Sequence, residues 1–228
     1  MMYGFSYILI IVAFLITLLA QMRVKNVYSK YSAVPNQYGL TGEQVARRLL
    51  NANGLSYIQI ERVRGNLSDH YDPKRKVIRL SEGVATQASV AAIGIAAHET
   101  GHAIQDALEY TPLKFRNVVY PVCNVGSKLA WPLFIVGLLL SSNFVGTGLM
   151  NVGILLYCLV VAFYLITLPV EFNASSRAVK QVADLNLVNA QEQKQVKEVL
   201  NAAAMTYVAS ALMVILQLVR MLMVRGRR

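Results

Sequence analysis

Charge is missing from long stretches of this chain. Between about Tyr3 and Gln21, and again between Lys128 and Glu171, there is no Asp, Glu, Lys or Arg. Such runs exclude a purely water-soluble globule, because a bilayer core is crossed by about 20 apolar residues. Cysteine is also scarce: Cys123 and Cys158 are the only two, too few for a disulfide framework. Both lie in or beside hydrophobic segments, where they need be no more than small apolar residues. Acidic side chains number twelve against 22 basic ones, a net charge of +10. No nucleic-acid-binding module accompanies that excess, so no nucleic-acid partner is expected. Cationic clusters beside the apolar runs, drawn to anionic lipid headgroups, account for it.

What is present, 55% hydrophobic residues over 228 positions, reads as a mainly α membrane protein with about four transmembrane helices. Residues 1–21 form an N-terminal anchor. It lacks a basic leader and a small-residue cleavage site, which favours an uncleaved anchor over a signal peptide. The uncharged run at 128–170 is long enough for two crossings, a hairpin turning near Ser141 to Asn151. Its turn returns Glu171 to the side from which the chain left. A last span, about Val199 to Val219 within 199–228, ends in Arg220, Arg225, Arg227 and Arg228. Basic residues flank the first three spans on one side: Arg23, Lys25 and Lys30, then Lys114, Arg116 and Lys128, then Arg177 and Lys180. The positive-inside rule makes that side cytoplasmic. The C-terminal arginines oppose this if the last span crosses fully, or fit a segment lying partly in the interface. Gly137, Gly146, Gly148 and Gly153 could support helix packing or a homo-oligomer, and are equally ordinary membrane-helix glycines.

Only three histidines occur, and two of them stand in His98-Glu99-Thr100-Gly101-His102. From about Thr86 to Leu108 there is no proline, and Val90, Ile93, Ala97, Gly101 and Ile104 recur at helical spacing. On a helix, residues four apart share a face, so His98 and His102 can both reach one Zn²⁺ while Glu99 stands beside it as a general base. A catalytic zinc takes three protein ligands and leaves a position open. The third ligand is expected to be Glu171, the carboxylate directly after the hairpin, where the plainer reading is a membrane-interface acid at a helix start. Gly101 costs on the order of 1 kcal/mol in a helix interior relative to alanine. It marks either a close approach of another group or tight helix packing.

Residues 22–127 are the region able to form a small α+β domain around this helix. Thr41-Gly42-Glu43-Gln44 has capping-box spacing and predicts a helix from Gly42 to Ala52. Leu55 to Val63 and Lys76 to Ser81 read as strands, the second after the turn signal Asp72-Pro73. Val77, Ile78, Arg79 and Leu80 are candidates for a free edge on which an extended peptide substrate would pair, and equally for an interior strand. His70, in the preceding loop, is a surface imidazole, a structural ligand or a transition-state donor.

Taken together, Asp69-His70-Tyr71-Asp72-Pro73, Val77 to Glu82, Ala96 to Gln105 and Pro169-Val170-Glu171-Phe172 resemble the membrane-bound neutral zinc metallopeptidases of the YugP type. The resemblance covers nearly the whole chain. It implies a zincin-like catalytic domain related in plan to the HtpX and CAAX prenyl protease group, one Zn²⁺ per chain, and a home in a bacterial cytoplasmic membrane. By position His98 and His102 match the metal histidines, Glu99 the catalytic acid and Glu171 the third ligand, on a helix over 171–198. Two positions depart from the pattern. Ser175 stands where many glutamate-zincins have an Asp that orients a metal histidine. Asn173 replaces the Asp of the Glu-Phe-Asp-Ala-Ser run. Neither carries a full charge, so zinc affinity is expected to be weaker than in the relatives.

The resulting expectation is a membrane-anchored endopeptidase acting on proteins or peptides near the bilayer, with Glu99 moving the proton of a zinc-activated water. Arg177 and His70 are the candidates for oxyanion stabilisation. The rival from another class is a catalytically weak or inactive membrane scaffold that keeps zinc. It predicts that Glu99→Gln preserves function while His98→Ala destroys it. An intramembrane protease fits poorly, since the apolar run before His98 is only about fifteen residues and Asp106 and Glu109 follow closely.

Overall fold

The computed structural model describes residues 2–141 and 143–226. Arg227 and Arg228 of the basic tail, and Ser142 of the expected turn, lie outside the described residues. The chain is mainly helical: α1 (Met2–Ser32), α2 (Gly42–Ala52), β1 (Gln59–Val63), β2 (His70–Asp72), β3 (Val77–Ser81), α3 (Glu82–Thr86), α4 (Val90–Ala107), α5 (Thr111–Leu139), α6 (Phe144–Asp184) and α7 (Ala190–Arg225). Contacts group the described residues into two units. One draws on Met1–Ala20, Lys114–Pro169 and Thr206–Arg228, the other on Gln21–Leu113 and Val170–Met205.

The first unit holds the apolar parts of the helices that, among the described residues, are long and apolar enough to cross a membrane: α1, α5, α6 and α7. Ala130, Phe134, Met150, Ile154, Tyr157 and Met221 pack inside it, while Phe14, Leu19, Val118, Val122 and Leu155 stand exposed, as side chains facing lipid would. Glycines set the spacing of the α5/α6 hairpin. A Cβ on Gly153 would lie 2.7 Å from the Ala130 carbonyl oxygen, and one on Gly137 would lie 2.5 Å from the Met150 nitrogen. Gly148 faces open space. The turn is shorter than expected, because α6 already begins at Phe144. Asn143 starts it there, its Oδ1 accepting from the Gly146 N–H at 2.9 Å. The missing Cβ of Gly146 leaves room for the Leu140 carbonyl.

In the second unit α2 forms where the capping box demands it, with the Thr41 side chain accepting from Gln44 N–H and the Gln44 side chain from Thr41 N–H. Its apolar face, Val45, Ala46, Leu49 and Leu50, is fully buried. The sheet runs in the order β1-β3-β2, with β1 parallel and β2 antiparallel to β3. This corrects the edge reading of Val77, Ile78, Arg79 and Leu80. That strand is the central one, paired on both sides, and Ile78 and Leu80 are fully buried with Ala96, Ala103 and Ile104 of α4. The free edges belong to β1 and β2. The strand expected from Leu55 begins only at Gln59, because Gly54 at φ +71° and the Leu55 N–H to Leu50 carbonyl bond close α2 in a turn first. At its other end β2 is stopped by Asp72, whose Oδ1 accepts the N–H groups of Lys74 and Arg75.

Candidate metal centre

The helix α4 starts at Ser89, whose hydroxyl accepts from Ala92 N–H at 3.2 Å, and runs through a closely packed apolar environment. Fourteen of its eighteen residues are buried, so polar side chains on it must find partners. Gly101 has a specific job there. A Cβ at this position would meet the Ala174 carbonyl oxygen of α6 at 2.7 Å, so the missing side chain is what lets the two backbones approach. Glu171 lies one turn before Ala174 on the same face of α6, and Pro169 precedes it inside the helix. The close approach at Gly101 brings that carboxylate to the two imidazoles.

His98, His102 and Glu171 each turn one ligand atom into a space where all three lie within 4.8 Å of one another. The Glu171 Oε2 is 3.3 Å from His98 Nε2 and 3.5 Å from His102 Nε2. A charge-assisted N–H···O bond would close to about 2.7–2.9 Å, so the carboxylate has not collapsed onto either ring. Donors about 2.0–2.1 Å from a tetrahedral zinc are separated by about 3.4 Å, and these separations match. The donor set, two imidazoles and a carboxylate, is also one that zinc takes. The residues present therefore fit the ion. The rings stand edge to face at 4.7 Å between centroids.

Each ring nitrogen away from this space is engaged. Ser175 Oγ is 3.1 Å from His98 Nδ1, so Ser175 engages one of the two imidazoles. Gln105 Oε1 is 3.0 Å from His102 Nδ1. Asn173 touches neither imidazole. Its Oδ1 accepts from Gln105 Nε2 at 3.0 Å and from Arg177 Nε at 2.8 Å. Gln105, fully buried, is the residue that sequence reasoning passed over, although it stands three positions after His102 and so shares its face. A glutamine in the apolar run Ala103-Ile104-Gln105 was the available signal.

Glu99 is 8% exposed. Burial pushes its carboxyl up to about 7, and the negative charges of Glu171 and Asp69 push the same way, against His98 and the Tyr71 backbone N–H. A carboxyl poised there can both accept and release a proton near neutral pH. His70 lies away from the three donors on the exposed surface of β2, its Nδ1 near the Ser68 carbonyl and its Nε2 3.4 Å from Arg79 Nη1. Arg79 pairs with Glu61 and Asp72.

A family model described as "Putative neutral zinc metallopeptidase" matches residues 6–226. In Bacillus subtilis (strain 168), the "Putative membrane protease YugP" is 46% identical over 205 residues, which are 90% of this chain and 89% of the relative. No solved structure matches.

Proposed function

The chain belongs to the neutral zinc metallopeptidase family of the YugP type, and from that premise we propose a membrane-anchored endopeptidase with one zinc held by His98, His102 and Glu171. The observation that carries this reading is the single Glu171 oxygen lying 3.3 and 3.5 Å from two imidazole nitrogens. When bound, zinc supplies Lewis acidity that polarises a peptide carbonyl and acidifies water. Glu99 accepts the proton of the attacking water and passes it to the amine nitrogen as the C–N bond breaks. Ser175 and Gln105 hold the imidazoles, and α6 delivers Glu171. Arg177, whose Nε is given to Asn173, remains the candidate for the developing oxyanion.

A three-stranded sheet beside the HExxH helix supports a zincin-like catalytic region over 22–127, completed by 171–198. Around it we assign 1–21 as anchor, 128–170 as transmembrane hairpin and 199–228 as the last span. The basic flanks Arg23, Lys25, Lys114 and Arg116 favour a cytoplasmic site, and a third ligand that directly follows an uncharged run in the sequence favours protein or peptide substrates at the bilayer. The rival scaffold reading draws on Asn173 and Ser175, which lack the charge of the residues they replace. Metal removal tests the proposal. Detergent-purified protein should cleave an unfolded substrate, lose that activity in a zinc chelator and regain it with added zinc. Cleavage unaffected by the chelator would refute it.

A further inference from the structure

Four side chains and one carbonyl form a line of hydrogen bonds whose directions are settled at both ends. Arg177 Nε can only donate, so the atom of Asn173 that meets it at 2.8 Å is the oxygen. The Val170 carbonyl can only accept, so the atom of Gln105 that meets it at 2.8 Å is the nitrogen. Gln105 Nε2 thus spends its two hydrogens on Val170 O and Asn173 Oδ1. Its Oε1 is left facing His102 Nδ1 at 3.0 Å. An amide oxygen only accepts, so Nδ1 must carry a proton, which in the neutral ring leaves the lone pair on Nε2.

We propose that Gln105 is the positioning residue of His102, fixing by its Val170-anchored amide the tautomer in which Nε2 is free to bind a metal. The proposal rests on the zinc reading above for its purpose, though the tautomer itself exists without metal. It also gives Asn173 a task. Rather than orienting an imidazole directly, Asn173 holds the amide of Gln105, a task that needs an acceptor and no full charge. A carboxylate-free relay costs no burial of an extra charge beside Glu99 and Glu171.

The test uses the full chain in detergent with ¹⁵N-labelled histidine. Only three histidines are present, so each ring can be assigned by substituting the others in turn. In zinc-free wild type at mildly alkaline pH, long-range ¹H–¹⁵N spectra should show His102 protonated at Nδ1. In Gln105→Leu and Gln105→Met, which remove the acceptor, His102 should shift toward the Nε2-protonated tautomer. The zinc Kd, read by competition with a chromophoric chelator, should rise about 10–100-fold. Gln105→Glu keeps an acceptor for Nδ1 but gives up the donations to Val170 and Asn173, and should retain the wild-type tautomer more fully than the apolar variants, which a merely structural role for Gln105 would not predict. The proposal is overturned if folded apolar variants keep the wild-type tautomer and a Kd within about threefold, a range smaller than loss of an outer partner causes. It is overturned equally if the Glu variant retains no more of the tautomer than the apolar variants. Wild type that shows the expected tautomer but binds no zinc would instead refute the metal reading alone.

Discussion

Glu99→Gln should lower cleavage of an unfolded substrate by about 10²–10⁴-fold, the usual worth of a positioned general base, with bound zinc unchanged. Zinc is expected to remain because Glu99 is not among the three converging donors and the amide keeps its shape. The same variant carries a sign that can be checked by pH. In the metal-free protein burial raises the Glu99 carboxyl from 4.5 to about 7, so the folded chain holds this proton more tightly than the unfolded one. The contribution to stability is present below about pH 4.5, falls as pH rises, and is lost above about 7. Glu99→Gln has no such proton to lose. Its unfolding free energy in chelator should therefore match wild type at low pH and exceed it increasingly toward pH 7, the difference reaching about 3 kcal/mol. Equal cleavage by the two proteins would point to a contaminating protease, and no cleavage by either would favour the scaffold reading, in which the ion is kept but no base is needed.

Gly101→Ala should dismantle the site from outside the ligand set. The added methyl would sit 2.7 Å from the Ala174 carbonyl oxygen and 3.2 Å from its Cα. These are backbone atoms, which cannot rotate away, so the Val170–Asp184 part of α6 must shift. Overpacking of this kind costs about 1–3 kcal/mol, offset only in part by the better helix propensity of alanine. A displacement on the order of 0.5 Å is enough to spoil a ligand constellation. Glu171 would move off the two imidazoles, and Gln105 would lose its hold on Val170. The expected result is a folded, less stable protein whose zinc Kd is raised at least about tenfold, as when supporting contacts of a metal site are lost. Calorimetry and zinc competition on the purified variant check it. Wild-type affinity would mean that the close approach at Gly101 does not position Glu171.

Much of this was legible in the residues. The capping box gave the bounds of α2 because Thr41 and Gln44 satisfy local N–H groups whatever the rest of the chain does. The uncharged runs announced four long helices because length and apolarity are sufficient for such segments. The pairing of His98 with His102 followed from helical spacing, and Glu171 from ligand count. Other features depend on partners distant in sequence. β2 is three residues long, too short for alternation to register, and exists because β3 offers it Val77, Ile78 and Arg79. The centrality of β3 was hidden for the same reason, since Val-Ile-Arg-Leu suits an edge or an interior strand. Gly101 was visible as an anomaly, but only Ala174 at 2.7 Å explains it. Gln105 and Asn173 were single letters until their bonds to Val170, His102 and Arg177 were placed.

X-ray absorption at the zinc edge of the loaded, detergent-purified protein tests the central claim most directly. One zinc per chain, surrounded only by nitrogen and oxygen at about 2.0–2.1 Å with the scattering of two imidazoles, is the predicted spectrum, and it should lose its ordered form in Glu171→Ala. Sulfur at about 2.3 Å, which would point to Cys123 or Cys158, or a spectrum unchanged in Glu171→Ala, would contradict the assignment of His98, His102 and Glu171.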